Sequence, residues 1–147
     1  EANYGIDGTY KCGLLYNWYA AKYLDDNKTT LLPSGWHIPT IAEWNTLATT
    51  LGGASTAGTL LKAINYSITS DFPSNWNGSD NCEFNVISSG YRNYIYGGIT
   101  DTAVFWTYEE SSSSKSNNRF LNTSTNFGAD TSNKSDAFSL RLVKDAT

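Results

Sequence analysis

Residues 107–136 hold 17 Ser, Thr and Asn among 30 positions, and apolar segments flank the block on both sides: 103–107 (AVFWT) and 137–143 (AFSLRLV). A segment of this composition on its own stays disordered, because it buries too little apolar surface to offset the entropy of ordering. Here Arg119, Phe120, Leu121 and Phe127 interrupt the polar run, as short strands would. The closing segment alternates Phe138, Leu140 and Leu142 on one face of a strand. The expectation is an ordered, loop-rich polar surface carried between two apolar strands.

The frame for that surface is written earlier in the chain. Residues 13–21 (GLLYNWYAA) read as a buried strand, or as a strand running into a short helix, and the polar run 22–30 reads as a loop. Pro33, Ser34 and Gly35 make a turn. Ile38 precedes Pro39 and is therefore extended. Thr40 and Glu43 then form a capping box, each able to satisfy a backbone N–H of the other. Ile41, Trp44, Leu47, Ala48 and Leu51 follow at helical spacing, and Gly52 and Gly53 end the helix. A second helix is expected over 56–64, with Leu60, Leu61 and Ile64 toward the core. Residues 65–83 read as a long loop anchored by Trp76, and 84–88 as a strand. The chain has the length of one domain, 147 residues, and is expected to be a single unit, a mature fragment or the C-terminal domain of a longer protein.

The composition excludes several function classes. The net charge is -4, the pI is about 4.8 and no Lys/Arg cluster occurs, so a nucleic-acid partner is not expected. No apolar run approaches a membrane span, and residues 1–5 (EANYG) do not open a signal peptide. His37 is the single histidine, which excludes multi-histidine metal chemistry, and a hydrogen-bonding role for it at the helix start is the better reading. Glu109 and Glu110 are adjacent on a strand and point to opposite faces, so they do not form an acid/base pair. Asp25, Asp26 and Asn27, and Asp80 and Asn81, are weak calcium candidates that read better as loop or cap residues. Neither a nucleophile elbow nor a phosphate loop is present. No catalytic residue, metal or cofactor is expected. Cys12 and Cys82 are either bridged or two buried thiols. Sequons occur at Asn27, Asn65, Asn77, Asn122 and Asn133. Ser, Thr, Asn, Tyr and Gly are the residues of adaptable recognition loops, so the polar block is a candidate binding surface with Tyr108, Phe120 and Phe127 as anchors.

Seven phrases in order resemble one family: GLLYNWYAA (13–21), LLPSGWHIPTIAEW (31–44), LGG (51–53), AGTLLKA (57–63), SGYRN (89–93), FWTYEE (105–110) and AFSLRLVKD (137–145). They are similar to the Fibrobacter succinogenes major paralogous domain, which belongs with C-type-lectin-like folds related to formylglycine-generating enzymes. The resemblance implies an α+β fold of the C-type-lectin type: a small irregular antiparallel sheet, two helices and long loops. It also implies that Leu32 and Leu142 touch, since family members often carry Cys at both. Calcium-dependent sugar binding is not implied, because the EPN, QPD and WND motifs are missing, nor is the enzyme, because no cysteine follows residue 82.

Some members of this family resemble the variable proteins of diversity-generating retroelements, whose adenine-directed mutagenesis does not reach Lys, Glu, Gln, Met or Trp codons. The resemblance implies that Trp106, Glu110, Lys115 and Lys134 are fixed scaffold. Tyr108, Ser111, Ser113, Asn117, Asn118, Phe120, Asn122, Ser124, Asp130, Ser132 and Asp136 become the candidate ligand-binding positions. The expected partner is a protein or glycan, met at a bacterial surface, a pilus tip or a phage tail.

Overall fold

The computed structural model describes residues 13–64 and 76–146. Asn17 starts the first helix: its side chain accepts from the Ala20 N–H at 2.9 Å, and the chain passes from β1 (Tyr16–Asn17) directly into α1 (Trp18–Asp26). The run 22–30 is therefore helical, not the expected loop, and continues as α2 (Lys28–Leu31). Its polar residues have local uses. Lys22 pairs with Asp26 one turn on. Asp25 points inward, and its carboxylate accepts from the Ile38 N–H at 2.7 Å.

After β2 (Trp36–His37), the capping box forms as expected and opens α3 (Ile41–Thr50). The second expected helix is α4 (Ala54–Leu61), shifted toward the N-terminus. Leu61 is fully buried, Leu60 half-buried, and Ile64, outside the helix, is 58% exposed. The loop expected over 65–83 falls largely outside the described residues, but Trp76 is buried as expected. Residues 84–88 form no strand; Val86 makes an isolated parallel bridge to Lys62.

The rest of the chain is β3 (Tyr91–Arg92), β4 (Tyr96–Gly97), β5 (Ala103–Glu110), β6 (Lys115–Leu121), β7 (Phe127–Asn133), β8 (Ala137–Phe138) and β9 (Val143–Lys144). The fold is α+β. Among the described residues, three antiparallel sheets stand where one was expected, with strand orders β1-β8-β3-β4, β2-β9 and β5-β6-β7, and four helices stand where two were expected. The closing segment is not one strand. It pairs with β1 through β8, bridges Phe105 at Ser139, and joins β2 through β9. Leu140 and Leu142 lie half-buried in the link between sheets.

β5-β6-β7 is the largest sheet, and apolar groups contact both of its faces. On one, Ala103, Phe105, Leu121 and Phe127 join Trp44, Ala57, Leu61, Trp76 and Val86. The Trp44 ring lies 5.4 Å from that of Phe127 and 6.0 Å from that of Phe105. On the other, Val104 and Trp106 pack with Trp18, Ala21, Ile38 and Phe138. That double cover explains why β5 reads as a continuous apolar run.

Candidate ligand-binding face

The polar block is ordered as a three-stranded antiparallel sheet. The register is continuous from Lys115 opposite Asn133 to Leu121 opposite Phe127. Alternation then divides the side chains. Asn118 and Phe120 share a face with Val104, Trp106, Asp130 and Ser132, while Asn117, Arg119 and Leu121 share the other with Phe105 and Phe127.

On the first face, the cover provided by Trp18 and Phe138 does not extend over the whole sheet. The uncovered part is a groove of about 300 Å³. Val104 and Phe138, both buried, with half-buried Phe120 and Tyr91, supply its apolar base. Asn118, Asp130, Ser132 and Asp136 line one side; Asn93 and Thr102 line the other. The polar side is held in place. Asn118 is 3% exposed and donates from Nδ2 to Ser132 Oγ at 3.0 Å. Asp130 accepts from the Thr131 N–H at 2.7 Å, and Asp136 from the Asn133 N–H at 3.1 Å. The Phe120 ring lies over Gly128, its cross-strand partner, so closely that a Cβ there would sit 2.2 Å from the ring.

Five of the eleven sequence-derived positions thus meet in one groove: Asn118, Phe120, Asp130, Ser132 and Asp136. The other six lie apart from them. Ser111 and Ser113 are exposed at the β5–β6 tip. Tyr108 ties β5 to α1, its hydroxyl accepting from Lys22 Nζ at 2.9 Å. Burial alone would lower the Lys22 pKa, but the hydrogen bonds it donates to Asp26 and Tyr108 outweigh it and raise it. Asn117 is on the opposite face and donates to the Glu109 carbonyl at 3.0 Å. Asn122 and Ser124 lie in the β6–β7 loop, the length of a seven-residue strand or roughly 20 Å from the tip. In that loop the Asn122 and Ser124 carbonyls accept from Lys62 Nζ at 2.9 and 2.7 Å, and Asn77 accepts a third hydrogen bond. Lys62 is fully buried beside the Trp76 ring, and burial lowers its pKa to about 8.

Sequence reasoning missed Tyr91, Asn93 and Thr102. The signal was the aromatic SGYRN phrase, but nothing local places it opposite Asp130. The residues expected to be scaffold are mostly engaged in the frame. Trp106 is fully buried and donates to the Tyr16 carbonyl at 2.8 Å. Lys134, 4% exposed, pairs with Glu110, lies 4.6 Å from the Trp18 ring and donates to the Ser113 carbonyl at 3.1 Å. Lys115 is exposed.

The model of the Fibrobacter succinogenes major domain matches residues 2–144. The chain belongs to that family. No curated protein and no solved structure matches it. In this member of the major-domain family, Leu32 and Leu142 are half-buried and line one cleft together with Leu24 and Leu140, so the two positions expected to touch are brought to the same place. Cys82 is exposed, not a buried thiol, and its pairing with Cys12 lies outside the described residues.

The candidates for chemistry have structural partners. His37 Nε2 is 2.8 Å from Glu43 Oε1 and its Nδ1 is 3.3 Å from Asp145. Glu43 also accepts from the Thr40 backbone and hydroxyl; burial opposes this, but these bonds and His37 hold its carboxyl below the usual range. Both Glu109 oxygens accept from the Ile41 N–H, at 2.9 and 3.1 Å, capping α3 from β5. Glu110 turns to Lys134 instead, so the two carboxylates point to different partners. Among the described residues no group of three or more His, Cys, Asp or Glu is placed to hold a metal ion, and no helix is long and apolar enough to cross a membrane.

Proposed function

We propose that this chain is a ligand-binding domain of receptor or adhesin type, with a C-type-lectin-like fold, that holds a protein or a glycan in the groove on the β5-β6-β7 sheet. The observation that carries the reading is that groove: a buried apolar base beside amide, hydroxyl and carboxylate groups oriented by their own hydrogen bonds. Preorganised polar groups around an apolar base are the usual make-up of a binding site. Catalysis is not proposed, because His37 and Glu109 are engaged in holding α3. The setting that suits such a domain is a bacterial surface, a pilus tip or a phage tail.

We further read the polar block as the diversified segment of a retroelement variable protein. Asp130, Ser132 and Asp136 line the groove and belong to neither apolar cluster. Trp106, Glu110 and Lys134, which adenine mutagenesis leaves fixed, hold the sheet to the rest of the chain. The genomic test is a near-copy of the gene's 3′ end beside a reverse transcriptase, differing mainly at adenines.

Binding itself is tested on protein and glycan arrays. The wild-type chain is compared with a triple variant, Asp130→Ala, Ser132→Ala, Asp136→Ala. The expected outcome is a ligand lost by the variant with the fold retained and stability lowered by about 1–2 kcal/mol, since Ser132→Ala takes the acceptor from the buried Asn118 amide. Equal array profiles for the two chains would leave a structural surface domain as the better reading.

A further inference from the structure

We propose that the groove accepts the cationic side chain of a protein partner, an arginine or lysine on an exposed segment. This rests on the reading of the groove as the binding face and names the class of its occupant. Two carboxylates, Asp130 and Asp136, line the groove, and no Lys or Arg is among its lining residues. Each carboxylate uses one oxygen to accept a backbone N–H, which fixes its orientation and leaves a second oxygen for a ligand. The nearby cation on this side, Arg92, lies over the Tyr96 ring, 5.8 Å from its centroid, and lines a separate cleft with Asn17 and Ser135.

The groove's apolar base suits the other half of such a side chain. Val104 and Phe138 are buried beneath it, and Phe120 and Tyr91 add aromatic surface. A three- or four-carbon stem lies well on apolar surface while its charged end stays at the polar rim. Guanidinium groups also favour aromatic neighbours and donate to carboxylates in a fixed fork geometry.

A protein partner is favoured over a glycan for two reasons. A neutral sugar leaves both carboxylate charges in place, whereas a cation offsets one of them and lowers their mutual repulsion, and the chain's net charge of -4 also draws a basic partner toward it. Beside Asn93, at the groove's far side, Tyr94 and Ile95 project from the β3–β4 turn, 93% and 74% exposed. An exposed apolar pair next to a charged groove offers a neighbouring protein surface something to bury.

The test uses the 147-residue chain, isotope-labelled, with three probes: Nα-acetyl-arginine amide, the neutral isostere Nα-acetyl-citrulline amide, and a panel of methyl glycosides. The expected result is saturable amide shifts at Asn118, Ser132 and Asp136 with the arginine probe. They should be at least ~5-fold weaker with citrulline and with the Asp130→Asn, Asp136→Asn chain, which corresponds to about 1 kcal/mol. A displayed peptide library selected on wild type should enrich Arg or Lys, and the double variant should lose that enrichment. Equal shifts from citrulline, groove shifts from glycosides alone, or a neutral peptide consensus that maps to the groove would overturn the cationic ligand while keeping the binding face. No groove-dependent shift and no groove-dependent enrichment would overturn both.

Discussion

On one face of the β5-β6-β7 sheet, Phe105, Leu121 and Phe127 are sealed under Trp44 and the helices α3 and α4. On the other, Trp106 is sealed under Trp18 and Phe138, but Phe120, Asp130 and Ser132 face the open groove. The same strands make both. Because a strand's side chains alternate, residues next to each other in sequence fall under different constraints: Arg119 is buried and donates to Asn45 at 2.6 Å, while Phe120 lines the groove. A sheet sealed on one face can vary its other face without repacking, and this is what a binding surface of changing specificity requires.

The largest test of that contrast is to remove the centre of the sealed side. Trp44→Ala should cost about 3–5 kcal/mol in urea unfolding, as large-to-small core changes do. Asp130→Asn should stay within about 0.5 kcal/mol, because its exposed side chain accepts only from a neighbouring backbone N–H, and Ser132→Ala should cost about 1 kcal/mol, because it takes the acceptor from the buried Asn118 amide. Comparable losses on both faces would break the distinction.

The buried cation at the edge of the sealed side gives a pH signature. Burial lowers the Lys62 pKa from 10.5 to about 8. Between those values the unfolded chain holds the proton more tightly than the folded one. Stability should therefore rise as pH increases from about 8 to 10.5. Thermal melts of wild type and Lys62→Met across that range should diverge. Parallel curves would mean that Lys62 is not desolvated.

A smaller effect is expected at Glu109→Ala, which removes the carboxylate that caps α3 from β5. The cost should be about 1 kcal/mol, with faster hydrogen exchange at the Ile41 amide. A comparable effect is expected at Gly128→Ala. The new methyl group must displace the outer edge of the Phe120 ring, the far end of a half-buried side chain. Stability should fall by about 1 kcal/mol, the low end for overpacking, while any groove ligand changes its affinity. A large loss of stability with unchanged binding would show that the Phe120 ring belongs to the core.

The parts legible in the sequence are those set by near neighbours. Thr40 and Glu43 are three residues apart, and their mutual capping needs nothing from the rest of the chain. The helix over 22–26 was illegible because Asp25, a poor helix former by composition, is held by Ile38, thirteen residues away. The strand character of Lys115–Leu121 was visible only at its apolar end; its Ser and Asn positions are strand because β5 and β7 hydrogen-bond it on both sides. The groove was half legible. Its polar side lies within the block, but Tyr91, Asn93 and Thr102 arrive through pairing that no local pattern encodes.

Gly58 approaches the β6–β7 loop so closely that a Cβ on it would lie 2.4 Å from the Thr125 carbonyl oxygen and 2.5 Å from that of Asn126. With Lys62 Nζ gripping the Asn122 and Ser124 carbonyls, the loop is clasped on two sides through its backbone. Inside the loop the Asn122 and Ser124 side chains accept from the Ser124 and Asn126 N–H groups. Its length is therefore fixed from outside and its turn from within. Related sequences should align through 122–126 without gaps, should keep a short polar residue at 122 and 124, and should place their insertions at the exposed serine tip.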